Sequence, residues 1–450
     1  MIRSATLSGV ARSAGIIGFI TIAVRFLSFG REVAAAAVFG VGADLDVFLI
    51  AYLAPSFLFF AILACAGAAI IPALMNARQQ GGVEALRATI ARANGAALIG
   101  FCGLGLLAAI ASPLYFPLLA SHLTPEKMAL GQHWLLLLCL LVPLYGFAAL
   151  WTAIANSQGA LALPACVPAL SPIVTIFMLF QYAETHGAWA FVNGMLLGAA
   201  LEFLMMGFVL YRRGLLVAPR LTFSMHGGFE RTFGTLFAGA AIMGLIPAID
   251  QAMATSIGPG AITGIIFGGR LVSLTGSVGA LALGAAVLPA FATLASTADW
   301  AGLRSLVRRC VLLTLALALP VCIFISWFSL PVIELMFQRG QFSTEDTRLV
   351  AGVQAFYILQ IPFYLGWVVL ARVLAALGHN FLLLLLSACA AVLNAVLNYY
   401  FLQDAGAAGI AAATSVVFVL LFLMAYAAVM YFLLPVKSSS PLPAANQNHE

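Results

Sequence analysis

From residue 14 to residue 434 one apolar run follows another, interrupted only by short stretches of Gly, Pro or charge. The runs do not alternate with the period of two that a membrane barrel strand requires; Leu, Ala and Gly continue unbroken. A helical bilayer crossing takes roughly 20 apolar residues. The pattern therefore predicts twelve spans, at 14–38, 46–75, 91–118, 131–155, 160–182, 188–211, 232–256, 261–294, 306–336, 348–377, 380–402 and 407–434. Composition agrees: 64% of residues are hydrophobic and 8% charged, against about a quarter charged in a soluble domain. No soluble core could hide that much apolar surface, so a water-soluble enzyme is excluded. The fold class is an all-α polytopic membrane protein of about twelve transmembrane helices. All seven cysteines fall inside apolar runs with no CxxC pair, and read as small packing residues.

Basic residues set the expected orientation. With the N-terminus in the cytoplasm, thirteen basic residues fall in inner segments (Arg3, Arg12, Arg78, Arg87, Arg92, Arg212, Arg213, Arg220, Arg231, Arg304, Arg308, Arg309 and Lys437). Only Lys127, Arg339 and Arg348 fall outside. Both termini are thus placed inside. Four arginines lie within spans: Arg25, Arg31, Arg270 and Arg372; the acids there are Glu32, Glu202 and Asp250. Charge at membrane depth is expensive and marks function by default. Arg372 and Glu202 sit toward the inner ends of spans 10 and 6 and read as snorkelling to the interface, whereas Arg25 and Arg270 lie too deep for that.

The chain also repeats itself. EVAAAAVFGVGA from Glu32 matches DQAMATSIGPGA from Asp250, and GAAIIPA from Gly67 matches GAAVLPA from Gly284, in one frame of 217 to 218 residues. Six spans per copy gives parallel repeats, an arrangement typical of alternating-access transporters with the substrate between the halves. The expected division is a lobe over 1–222, a lobe over 223–436 and a disordered cytoplasmic tail over 437–450. The repeat sets Glu32 against Asp250, the two acids nearest an expected gate.

Enzyme signatures are scarce: there is no Walker A loop, no HExxH and no GxSxG. The chain is expected to be no enzyme and to draw on an ion gradient or membrane potential. Two constellations stand out. Arg25 and Arg31 lie about 120° apart around span 1, and with Arg270 they could line one cavity for an anionic headgroup, since a guanidinium fork suits phosphate. Alternatively, Arg31 and Glu32 simply neutralise each other. The second constellation is oxygen-rich: Asp250, the i, i+4 pair Asn394 and Asn398, and Thr414. These groups suit a small hard cation such as Na⁺, or equally ordinary hydrogen bonding between helices.

At this point the chain resembles a known family. RFLSFGREVAAAAVFGVGA from Arg25, followed by Asp46-Val47-Phe48 and Ala54-Pro55, is similar to the opening of MurJ/MviN lipid II flippases of the multidrug/oligosaccharidyl-lipid/polysaccharide exporter superfamily. FQRGQFSTEDT from Phe337, Gly269-Arg270-Leu271 and ARVLAALGH from Ala371 extend the likeness. The resemblance implies two six-helix lobes forming a V around a cationic cavity. It implies that Arg25, Arg31 and Arg270 bind substrate, and that Asp46, with Glu32, gates or balances charge. Asp250, Asn394, Asn398 and Thr414 would be a Na⁺ site, with Na⁺ as coupling ion and no other cofactor. The substrate would be an undecaprenyl-pyrophosphate-linked glycan, lipid II first, carried to the periplasmic leaflet by alternating access. Another polyprenyl-linked oligosaccharide, such as an exopolysaccharide or O-antigen unit, is the runner-up. A cation-coupled drug exporter would want a more acidic cavity. An inactive scaffold that recruits glycan-synthesis enzymes is a further class; membrane lipids are the remaining partner, and nothing suggests nucleic acid. Departures are specific: Phe59 and Phe60 stand where the family carries arginine, Phe267-Gly268-Gly269 replaces a Tyr-Ala-Asp, Asn398 replaces an acid, and two further C-terminal spans have no counterpart.

Overall fold

A computed structural model describes residues 7–121, 123–221, 228–297 and 299–433. The tail read as disordered, the arginine at position 3 and the 284–290 side chains of the repeat lie outside the described residues. Sixteen α-helices follow in order: α1 (Leu7–Phe39), α2 (Ala43–Leu119), α3 (Pro125–Leu138), α4 (Leu141–Ser157), α5 (Ala162–Cys166), α6 (Leu170–His186), α7 (Trp189–Arg212), α8 (Gly228–Met243), α9 (Leu245–Ala254), α10 (Ala261–Gly268), α11 (Arg270–Ser296), α12 (Trp300–Trp327), α13 (Ser329–Phe337), α14 (Thr344–Tyr357), α15 (Ile361–Ala376) and α16 (Asn380–Phe432). No strand occurs among the described residues.

These helices make twelve crossings. Eight helical segments are long and apolar enough to span, and the bent pair α8–α9 makes a ninth. Two of them hold two crossings each: α2 loses helical geometry at Gly81 and Gly82, and α16 at Gly406. The sequence suggested loops over 76–90 and 403–406; helix instead runs through both, broken only at those glycines. The twelfth crossing is α1, which Arg25, Arg31 and Glu32 make less apolar than the rest. Proline explains where other spans break. It offers no N–H to the carbonyl four residues back and crowds it. Breaks accordingly precede Pro143 (between α3 and α4), Pro172 (a 3-10 turn at Val167–Ala169), Pro247 (at Gly244), Pro331 (at Phe328) and Pro362 (a 3-10 turn at Ile358–Gln360). Pro55, Pro72 and Pro320 leave their helices continuous.

Burial divides the bundle by end. One cluster draws on both halves of the chain and gathers the residues beside the 40–42, 120–124, 255–260 and 338–343 turns: Ala34 to Ala36, Leu45 to Ala51, Phe116, Trp134, Phe191, Ile262, Phe267, Phe337, Phe342 and Ile410. At the other end there are two separate clusters. One holds Ile70, Ile90, Phe101, Trp151 and Leu210 of the first half; the other holds Val307, Leu370, Val373, Ala425 and Val429 of the second. Phe233 and Phe237 of α8 lean across onto the first. The halves are therefore joined at the turn end and have separate cores at the end where α1 begins, which is the V the sequence led us to expect.

The joined end is held by backbone as well as side chains. Ser343 and Asp346 form a capping box at the start of α14, and Asp346 Oδ2 also accepts from Val41 N at 3.4 Å. Gln341 N donates to Ala37 O at 2.8 Å. Gly340, at φ +60°, passes so close that a Cβ would lie 2.2 Å from Ala37 O. Gly340→Ala is therefore expected to loosen this end by about 2–3 kcal/mol, from backbone strain plus clash. Faster thiol labelling of a cysteine placed at Val41 would report it, and an unchanged rate would count against the contact.

Candidate functional site

Helix α1 carries Arg25, Arg31 and Glu32 into the space between the halves, and α11 brings Arg270 from the other side. Arg270 is the first residue of α11, directly after the break at Gly269. Gly268 permits that placement: a Cβ there would lie 2.6 Å from the Val353 side chain of α14. The Gly268-Gly269 pair thus packs the break against α14 and aims Arg270 inward. Glu32, 6% exposed, pairs with Arg31 at 2.7 Å and Arg270 at 3.2 Å. The carboxylate therefore bridges the halves. Arg31 thus both pairs with Glu32 and lines the cavity.

The cluster keeps a net charge of +1, and donors to spare. Nε of Arg31 and Nε of Arg270 are buried without a hydrogen-bond partner. An orphaned, charged donor in an apolar bundle is costly unless an acceptor comes to it. Two cavities meet here. One, of about 550 Å³, runs along the first half past Arg25, Tyr145, Ser171 and Glu202; the other, of about 450 Å³, runs along the second past Asp250, Gln360 and Thr414. Arg31, Tyr52, Phe60 and Arg270 line both. Arg25 is exposed in the first compartment, with no ion pair among the described residues. Phe60 makes this part of the wall apolar.

Asp250, 3% exposed, holds the second constellation together. Its Oδ1 accepts from Asn394 Nδ2 at 3.0 Å and Asn398 Nδ2 at 2.8 Å; its Oδ2 accepts from Thr414 Oγ1 and Tyr357 Oη, each at 2.7 Å. All four predicted residues thus converge. Tyr357 was missed because its ring fits an apolar run and only its tip is polar. The donor set suits Na⁺: one carboxylate, two amides and two hydroxyls, with Asn398 Oδ1 buried and unpartnered. Amide oxygen and nitrogen exchange places by a flip of the group, so both asparagines can turn acceptor inward.

Asp46 lies at the joined end, fully buried. It accepts from Gly260 N, from Thr263 N at 3.2 Å and from Thr263 Oγ1 at 2.6 Å. Gly42 and Gly260, the matching glycines of the repeat, cap α2 and α10, so a side chain from the first turn of α2 docks on the start of the equivalent helix. Arg372 is exposed. Glu202 corrects the sequence reading: at 5% exposure it does not reach the interface but faces the first compartment, where its Oε1 accepts from Ser171 N at 3.3 Å. Counting residues from Trp189 places it thirteen residues, about 20 Å, along α7, and that depth was the available signal.

The family model described as lipid II flippase MurJ matches residues 35–433. A probable lipid II flippase MurJ of Synechocystis sp. is 27% identical over 427 residues, covering 90% of this chain and 78% of the relative. One from Bdellovibrio bacteriovorus is 26% identical over 378 residues, 78% of this chain and 69% of its own. Among solved structures, lipid II flippase MurJ in an inward closed conformation gives a TM-score of 0.78 at 21% identity, over 92% of this chain and 87% of that one. An inward-facing multidrug resistance MATE family transporter of the MOP superfamily gives 0.74 at 16% identity, over 93% and 98%. At these identities the structural likenesses establish the fold.

Proposed function

We propose, given that this chain belongs to the MurJ family of lipid II flippases, that it carries lipid II from the cytoplasmic to the periplasmic leaflet by alternating access, with the Arg31–Glu32–Arg270 cluster as its diphosphate receptor. The observation that carries the reading is a pair of arginines, one on each half, that line the same cavities and share one carboxylate, each keeping an Nε without a hydrogen-bond partner. A diphosphate offers acceptors to both guanidinium forks. Glu32 does the same from within the chain, so it serves as the resident counter-ion: it holds the arginines when substrate is absent and yields them when substrate arrives. Exchange of one bridging anion for another links substrate binding to the relation between the halves, and only such differential contact can drive a conformational change. Arg25 extends the positive surface along the first compartment.

We take the lobes as 1–222 and 223–436. The end with separate cores carries Arg78, Arg87, Arg304, Arg308 and Arg309, so we assign it to the cytoplasm on the positive-inside rule. This makes the described state open inward and closed at Asp46. Asp250, Asn394, Asn398 and Thr414 would hold Na⁺, which supplies the positive charge that a buried carboxylate otherwise lacks. Asp250→Asn is expected to abolish Na⁺-dependent stabilisation, reducing a response of several degrees in thermal midpoint in detergent to none. A wild-type midpoint insensitive to Na⁺ would remove the ion from the scheme.

The deciding experiment is complementation: deplete a bacterium of its essential lipid II flippase, express this chain, and assay lipid II at the outer face. Rescue that depends on Arg25 and Arg270 establishes the substrate. A folded, membrane-resident protein that fails to rescue would shift the assignment to another polyprenyl-linked glycan.

A further inference from the structure

The first-half compartment carries a charge pattern that diphosphate binding does not use. Its α1 and α11 walls present Arg25, Arg31 and Arg270 around the single carboxylate of Glu32, a net positive wall, while its α7 wall presents Glu202. Among the described residues no basic side chain comes within ion-pair distance of Glu202. Its one described hydrogen bond is the 3.3 Å contact from the Ser171 amide. That amide is free because Ser171 lies in the first turn of α6, where backbone donors have no partner within the helix.

A carboxylate at this depth is costly unless a cation meets it, and among the described residues none pairs with it. Aromatic rings of α2 and α4 line the same compartment. The Tyr145 hydroxyl lies 2.7 Å from Ser171 Oγ, and the Tyr145 ring packs 4.9 Å from Phe59, which in turn lies 5.9 Å from Tyr52. A carboxylate in a compartment lined by aromatic rings suits an ammonium group. With the arginines opposite, the compartment is dipolar and selects a headgroup that is anionic at one end and cationic at the other. We propose that Glu202 binds a protonated amine on the substrate headgroup while the arginines hold its diphosphate. This rests on the flippase reading above, and narrows the substrate to a lipid diphosphate whose sugar-linked peptide keeps a free amino group.

The test compares two ligands on the full-length purified protein: lipid II with a free side-chain amine on its peptide, and the same lipid II acetylated at that amine. Glu202→Gln keeps an acceptor for the Ser171 amide and removes only the charge. For wild type, acetylation is expected to weaken binding about tenfold, and Glu202→Gln to weaken the free-amine ligand by about the same factor. In the variant, acetylation should change Kd less than about twofold. An acetylation penalty as large in Glu202→Gln as in wild type would overturn the assignment and leave Glu202 as the partner of the first turn of α6. Wild type that binds neither ligand would overturn the lipid II reading itself, and this inference with it.

Discussion

Arg270→Glu is expected to reduce lipid II translocation at least about a hundredfold, with the protein still present in the membrane at its normal level. The argument is local. Arg270 and Arg31 reach Glu32 from opposite halves at 3.2 Å and 2.7 Å, so the native cluster is positive by one charge. With glutamate at 270 it becomes negative by one, and two carboxylates crowd a single arginine where a diphosphate should bind. Losing charge-assisted hydrogen bonds alone is worth about 3 kcal/mol, roughly two decades in affinity, and repulsion adds to it. Folding should tolerate the change, because the Arg270 side chain keeps 32% of its surface exposed and can turn into the cavity. Arg270→Lys separates charge from geometry: it keeps the attraction but loses the planar fork, so a loss of about tenfold is expected. Translocation would be read in proteoliposomes as lipid II accessible to an enzyme added outside, alongside membrane abundance. Transport retained by Arg270→Glu would sink the anionic-substrate role.

The sequence revealed more of this molecule in its long-range pattern than in its local one. Twelve apolar runs required a helical membrane bundle, and the G-x-G-A repeat located two equivalent helix starts that the structure caps with Gly42 and Gly260. Charged groups at depth were legible because the cost of burying them leaves few reasons to keep them. That logic found Arg25, Arg31, Glu32, Arg270 and Asp250, all of which line the two cavities. It failed at Glu202 because the acid was read as near the end of its span, from run boundaries accurate to a few residues, although it lies well inside α7, which runs on to Arg212. The partners of buried acids were harder still. Tyr357 and Thr263 are far from Asp250 and Asp46 in sequence, and neither has a spacing that advertises it. Helix breaks were legible in hindsight from proline, yet Pro55, Pro72 and Pro320 sit in unbroken helices, since neighbouring helices and local backbone adjustment can satisfy the freed carbonyl.

Removing the Asp46 carboxylate should open the end that Arg270 leaves untouched. Asp46 accepts hydrogen bonds from three donors in the first turn of α10 in the other half: Gly260 N, Thr263 N and Thr263 Oγ1. It is fully buried, so in Asp46→Ala water cannot replace it while this end stays closed. Each donor left unsatisfied costs about 1–3 kcal/mol, and two of the three are backbone amides at a helix start, where the dipole also favours negative charge. A total of about 4 kcal/mol falls on the closed state alone, because once the halves part at this end the same amides meet water. The ratio of closed to open should then drop by about three decades. Spin labels at Glu126→Cys and Ser256→Cys, exposed positions on opposite halves, would read the change as a longer and broader distance distribution, with transport falling at least about tenfold because one gate no longer holds. Asp46→Asn keeps one acceptor oxygen but turns an amide group toward donors, so it should lie between wild type and Asp46→Ala. A distance distribution in Asp46→Ala identical to wild type would mean that the apolar cluster around Phe267, Phe337 and Phe342 closes this end without the carboxylate, and that Asp46 has no part in gating.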